Sequence, residues 1–229
     1  MKTVIKTQNL CKTFQVGGQP FEVLKNINLQ IQEGEFISIM GQSGSGKSTL
    51  LYLLGSLDSP TSGEIFIKDT PLSAVTDTQA SEYRRKKLGF VFQFYNLVPN
   101  LTVEENILLP ILLDGQKAKN YKRRLDEVIS VVGLSDRKKH LPTQLSGGQQ
   151  QRVAVARALI HNPDIIFADE PTGNLNSKTG NEIMELFRQI NVEQGKTIVQ
   201  VTHSSEAAKF GNRVITIKDG VAQKEEAAS

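Results

Sequence analysis

Two hydrophobic periods alternate along the chain, and the places where one gives way to the other mark its elements. Residues 4–10 and 22–31 carry the pattern of strands, the latter through Val23, Ile27, Leu29 and Ile31. The run Phe36-Ile37-Ser38-Ile39-Met40 reads as a third strand; it stops at a glycine-rich turn, after which residues 48–57 suit a helix. Residues 68–80, rich in Thr, Ser and Asp, read as a loop. From residue 96 to residue 160 helical stretches take over, around 103–109, 121–132 and 149–160, which predicts a helical insert. Strand patterning then returns. Ile165-Ile166-Phe167-Ala168 reads as a buried strand, and residues 178–194 place Ile183, Leu186, Phe187 and Ile190 on one helical face. Residues 197–202 form another strand, and residues 214–218 followed by Asp219-Gly220 and Val221 carry a hairpin signal. Strands alternating with helices predict an α/β fold, a mostly parallel sheet with helices on both faces.

Composition narrows this picture without naming a function. At 229 residues the chain is one large domain or a core with one subdomain, and its 38% hydrophobic and 22% charged residues exclude a disordered chain or a coiled coil. The balance of 27 Lys+Arg against 24 Asp+Glu leaves +3, too little to imply a nucleic-acid partner. Cys11, the one cysteine, has no second thiol for a disulfide or a metal pair and reads as a buried or half-buried thiol. Residues 1–6 lack the apolar stretch of a secretory signal, and the longest apolar run, 107–113, is broken by Pro110. The expectation is a soluble, cytoplasmic chain, which must borrow another polypeptide to cross a membrane if it works at one.

Candidate chemistry lies in ordered motifs. Gly41-Gln42-Ser43-Gly44-Ser45-Gly46-Lys47-Ser48-Thr49 fits G-x-x-x-x-G-K-[ST] between a predicted strand and a predicted helix. Its glycines let successive backbone N–H groups converge on a phosphate at the positive end of a helix. Lys47 would reach the β and γ phosphates and the Ser48 hydroxyl would ligate Mg²⁺. Asp169-Glu170 ends an apolar strand, which suits a Mg²⁺–phosphate site at the carboxyl edge of a sheet: Asp169 for the ion, Glu170 to orient or deprotonate water. Alone, such a pair is an ordinary solvated strand end; beside a phosphate loop it is a candidate site. Leu145-Ser146-Gly147-Gly148-Gln149-Gln150-Gln151-Arg152 opens a helix that Ser146 can cap, a second anion cradle where an ordinary capped helix start is the plainer reading. Two cradles on one chain make sense if two copies pair, each completing the other's site.

In order and over essentially its whole length, the chain resembles the nucleotide-binding subunit of an ATP-binding-cassette (ABC) transporter. The resemblance rests on the phosphate loop, Gln93 after Phe90-Val91-Phe92, the segment 145–152, Asp169-Glu170, and His203 after residues 198–202. It implies one ATP-binding domain: a P-loop NTPase core (about 1–93 and 161–229), an antiparallel β subdomain towards the N-terminal side and an inserted helical subdomain (about 94–160). It also implies ATP and Mg²⁺, an ATP-dependent head-to-tail homodimer, a transmembrane permease partner and a place on the inner face of the cell membrane. By residue, it implies that Phe14 stacks on adenine, that Gln93 joins Ser48 and Asp169 at Mg²⁺, and that His203 contacts the γ phosphate. Glu170, His203, Gln93 and Lys47 are then the catalytic set, and Ser146, Gly147, Gly148 and Gln149 face the partner's ATP. Residues 89–93, 106–110, 171–175 and 210–213 resemble the branch serving lipoprotein release, macrolide export and antimicrobial-peptide resistance, which suggests export. That branch also includes regulators of membrane-bound enzymes or sensors that move no substrate, so a regulatory role is the alternative.

Two departures from the family are visible: Asn176 where the family has Asp, and Gln42 where the branch often has Pro. Basic clusters at 84–87, 122–124 and 137–139 read as solvated faces, with proximity to an anionic membrane as the functional alternative. Phe94-Tyr95-Asn96-Leu97-Val98-Pro99 places apolar groups in a loop, a candidate dock for the permease together with the helical insert.

Overall fold

The computed structural model describes residues 2–227. Strand β1 (Thr3–Val16) turns at Gly17-Gly18 into β2 (Gln19–Ile27), and the short β3 (Gln30–Gln32) leads to β4 (Phe36–Met40) and α1 (Lys47–Leu54). Next come β5 (Ser62–Ile67), β6 (Thr70–Pro71), α2 (Asp77–Lys87) and β7 (Leu88–Phe92). Helices α3 (Val103–Leu113), α4 (Lys122–Val131) and α5 (Gly147–Leu159), joined by one 3-10 turn before α4 and two before α5, precede β8 (Ile165–Asp169). The remaining elements are α6 (Ser177–Gln194), β9 (Thr197–Thr202), α7 (Ser205–Ala208), β10 (Arg213–Lys218) and β11 (Val221–Ala227).

A six-stranded sheet runs in the order β11-β10-β4-β9-β8-β7, parallel except for the β10–β11 hairpin at its edge. Its strands are apolar run after run because both faces are covered. Side chains alternate between the two sides: Ile37, Ile39, Ile165, Phe167, Val199 and Val201 join one core with α1 and the antiparallel strands. Phe36, Val91, Ile166, Ala168 and Ile198 point the other way, into a core built with α3, α4, α5 and α6. The second sheet, β2-β1-β5-β6 with β3 also paired to β1, is antiparallel and lies over α1. The α/β class and the largely parallel sheet expected from patterning are what the chain forms.

Several elements differ from expectation for physical reasons. The predicted strand 22–31 breaks in two at Asn28-Leu29, just after Asn26 takes a left-handed φ of 50°, and Thr7 fills the gap: its hydroxyl donates to Ile27 O at 2.9 Å and accepts from Leu29 N at 3.0 Å. The predicted loop 68–80 contains β6 and the first turn of α2, whose Thr76–Gln79 capping box starts the helix. Helix α2 buries none of its residues fully, so no apolar stripe announces it. Pro110 does not end its helix; α3 continues through it and stops within a turn, with Asp114 N–H donating to Pro110 O at 3.0 Å.

Candidate functional site

The carboxyl ends of β4, β9, β8 and β7 are neighbours in the sheet, and each runs straight into one of the motifs. This is where open α/β sheets bind ligands. After β4 the loop turns into α1 at Gly46, whose φ of +99° favours glycine; a Cβ there would stand 2.8 Å from Leu24 Cδ2. No side chain caps α1, so its first N–H groups remain free for an anion. Lys47 is only 7% exposed, and its ammonium donates to Gln42 O at 2.9 Å. A cation so desolvated favours an anion beside it.

At the end of β8, Asp169 is gripped from both sides by α1. Ser48 Oγ donates to its Oδ1 at 2.9 Å and the Tyr52 hydroxyl donates to its Oδ2 at 2.6 Å. Burial, the hydrogen bond to Asp169 and that carboxylate's charge push the Tyr52 phenol up to about 12. Glu170 leaves the strand in a left-handed conformation, φ 46°, which an L-residue adopts at a cost of roughly 1–3 kcal/mol. That turn aims its carboxylate at His203, which offers Nδ1 at 3.0 Å and its backbone N–H at 3.4 Å. Lys47, Ser48, Thr49, Gln93, Glu170 and His203 share one cavity of about 680 Å³. Gln93 is tied to the segment after Glu170 by a reciprocal pair: its Nε2 donates to Asn174 Oδ1 at 3.2 Å, and Asn174 Nδ2 donates to Gln93 O at 3.0 Å.

Other motif residues lie elsewhere. Ser146 caps α5 through a reciprocal box with Gln149, accepting from Gln149 N at 3.3 Å while Gln149 Oε1 accepts from Ser146 N at 2.9 Å. Ser146, Gly147, Gly148 and Gln149 do not line the cavity around Lys47. Phe14 is also outside it, 40% exposed, with the Lys12 ammonium 4.9 Å from its ring centroid. Phe14 pairs with Phe21 across the β1–β2 ladder, and Val23, two residues further along β2, does line the cavity. Asn176 is the N-cap of α6, its side chain accepting from Thr179 N at 2.9 Å.

The motifs thus divide between a cavity and a separate helix start, and comparison with known proteins says what kind of chain builds both. The ABC transporter family model matches residues 24–173. The protein is 50% identical over 227 residues, 97% of each chain, to an uncharacterized ABC transporter ATP-binding protein, MJ0796, of Methanocaldococcus jannaschii. The chain belongs to the ABC transporter family.

The cassette is 50% identical over 220 residues, 96% of this chain and 94% of the relative, to an uncharacterized ABC transporter ATP-binding protein of Thermotoga maritima. Its fold superposes with a TM-score of 0.89 on the dimeric, post-hydrolysis structure of MJ0796 bound to ADP and Pi, at 47% identity over 98% of this chain and 99% of that one. It is an ABC ATPase domain. Among the described residues no helix is long and apolar enough to cross a membrane.

Reading residues alone passed over two groups of the cassette's site. Tyr52 stands four residues after Ser48, on the same helical face, a spacing that could have flagged it. Asn174 is bound to Gln93 only through the fold, which no local spacing shows. The apolar loop after Gln93 is also narrower than its composition: Phe94 is 73% exposed, but Tyr95 and Leu97 pack into the core with α3–α5. Arg157 clamps that loop by donating to Asn96 O at 2.6 Å and Tyr95 O at 2.7 Å. The basic clusters are largely neutralised within the chain, Arg85 on Asp114, Lys86 on Glu82, Lys87 on Asp164, Lys138 on Asp126 and Lys139 on Glu104 among others. That pairing favours solvated faces over a lipid-binding patch.

Proposed function

We propose that two copies of this cassette close head to tail on two ATP molecules and drive a separate membrane permease, in the export branch that serves lipoprotein release, macrolide export and antimicrobial-peptide resistance. The observation that carries the reading is the division of the motifs: Lys47, Ser48, Gln93, Glu170 and His203 share a cavity that the Ser146 helix start does not reach. A second copy related by a two-fold axis would bring its own Ser146, Gly147, Gly148 and Gln149 to the open side, giving two equivalent composite sites. MJ0796, which the cassette matches throughout, is itself described as dimeric and bound to ADP and Pi.

In this reading Phe14 offers its ring face to adenine. Gly41, Gln42, Ser43, Gly44, Ser45, Gly46 and Thr49 supply the loop around the phosphates, and Lys47 holds the β and γ groups. Ser48 Oγ, Asp169 and Gln93 present hard oxygen donors of the kind Mg²⁺ takes and would hold it beside the phosphates. Bound there, Mg²⁺ would neutralise charge on the β and γ oxygens. Glu170, oriented by His203, accepts the proton of the attacking water, and His203 contacts the γ phosphate. Loss of that phosphate removes the bridge between copies. The helical segment, about 94–160, then relays the opening to the permease at the inner face of the membrane through Phe94 and its neighbours.

Glu170→Gln tests the account. With the base removed, saturating ATP and Mg²⁺ should accumulate a stable dimer by light scattering, and a monomer under those conditions would sink it.

A further inference from the structure

One face of α1 places two hydroxyl groups on a single carboxylate. Ser48 and Tyr52 are four residues apart, so their side chains stand one above the other, and Asp169 at the end of β8 receives both: Oδ1 from Ser48 at 2.9 Å, Oδ2 from Tyr52 at 2.6 Å. The terminal torsion of an aspartate is soft, and one donor leaves the carboxylate free to turn about it. Two donors on two oxygens fix its plane. The Tyr52 bond has the length of a charge-assisted O–H···O⁻ contact. It is also not an automatic result of burying a phenol, since the hydroxyl of Tyr83, packed against the same core, is buried without a partner.

We propose that Tyr52 is a positioning residue for the cation site: it holds Oδ2 of Asp169 so that Oδ1 stays turned toward Ser48. The inference rests on the reading above that Ser48 and Asp169 take Mg²⁺. A Ser48 oxygen committed to a cation has less to give Asp169, and Tyr52 is then the donor that keeps the carboxylate in place. Groups that orient metal ligands typically govern metal affinity by about 10–100-fold. Tyr52 does not line the cavity that holds Lys47, Glu170 and His203, so its effect should enter through the ion.

The test is Tyr52→Phe, which keeps the ring and removes one oxygen. Mn²⁺ is titrated into the protein saturated with ADP, and the free ion is followed by its electron paramagnetic resonance signal. The variant should bind Mn²⁺ about 10-fold more weakly, while ADP affinity in EDTA and the melting midpoint in EDTA stay at the native values. Unchanged Mn²⁺ affinity overturns the proposal. So does an equal loss of ADP affinity without metal, or a collapse of the fold, because either makes Tyr52 a structural residue. Asp169→Asn separates this failure from a deeper one. If Asp169→Asn weakens Mn²⁺ binding and Tyr52→Phe does not, only the role of Tyr52 falls; if neither does, the assignment of the ion to Asp169 falls with it.

Discussion

Asn176 keeps a structural task where it departs from the family pattern. The family it resembles has Asp here, and the exchange removes a negative charge, yet the side chain still accepts the Thr179 N–H at 2.9 Å as the N-cap of α6. Asn and Asp cap helices about equally well. Asn176→Asp should therefore leave the melting midpoint in place while changing the ATPase rate, without abolishing nucleotide binding; an unchanged rate and cooperativity would show the departure to be silent. Asn176→Ala, by contrast, should cost about 1 kcal/mol of stability in urea denaturation. The residue types at the site were readable, because a phosphate loop and an acidic pair are local in sequence. The left-handed turn of Glu170 was not, since nothing in Asp169-Glu170-Pro171 fixes φ at 46°. That turn comes from the fold: Glu170 N–H donates to Val201 O at 3.0 Å on the neighbouring strand.

Among the elements, those that bury a stripe or a whole strand could be read from the sequence, and those that do not could not. Helix α6 buries Ile183, Leu186, Phe187 and Ile190, the four positions its periodicity marks. Helix α2 buries nothing completely and was hidden in a polar stretch, although its Thr76–Gln79 box was present in the sequence. The contact between α5 and α6 was equally invisible, and it is tight. A Cβ on Gly148 would lie 2.3 Å from Thr179 Cγ2, and threonine is stiff at χ1. Gly148→Ala gains up to about 1 kcal/mol of helix propensity but overpacks this contact by about 1–3 kcal/mol. A net loss of stability is expected in urea denaturation. Thr179→Ser, which removes the methyl and keeps the N–H that Asn176 caps, should restore part of it. If the two substitutions are simply additive, the close approach does not limit how α5 and α6 pack.

At the scale of the molecule, His161, just after α5, sits between the helical segment and α2. Its ring packs edge-on to Tyr121 at 6.4 Å and leaves Nε2 buried without a partner. The charged groups that face it are Asp114 of the turn after α3 and Arg85 and Lys86 of α2. Burial is the largest influence and lowers the imidazole below its ordinary value of 6.5; Asp114 pulls the other way, while Arg85 and Lys86 reinforce the lowering. Protonation would put a hydrogen on Nε2 with nothing to receive it. Because the unfolded chain takes up that proton more readily, the contribution of neutral His161 is whole above pH 6.5 and is lost as pH falls from there through the folded value. His161→Gln lacks this titration. The gap in melting midpoint between the native protein and His161→Gln should therefore be widest near pH 7.5 and narrow steadily toward pH 5. A gap that stays constant over that range would mean that His161 takes up its proton as readily folded as unfolded, and a gap that narrows toward pH 7.5 would mean that it is held protonated in its pocket.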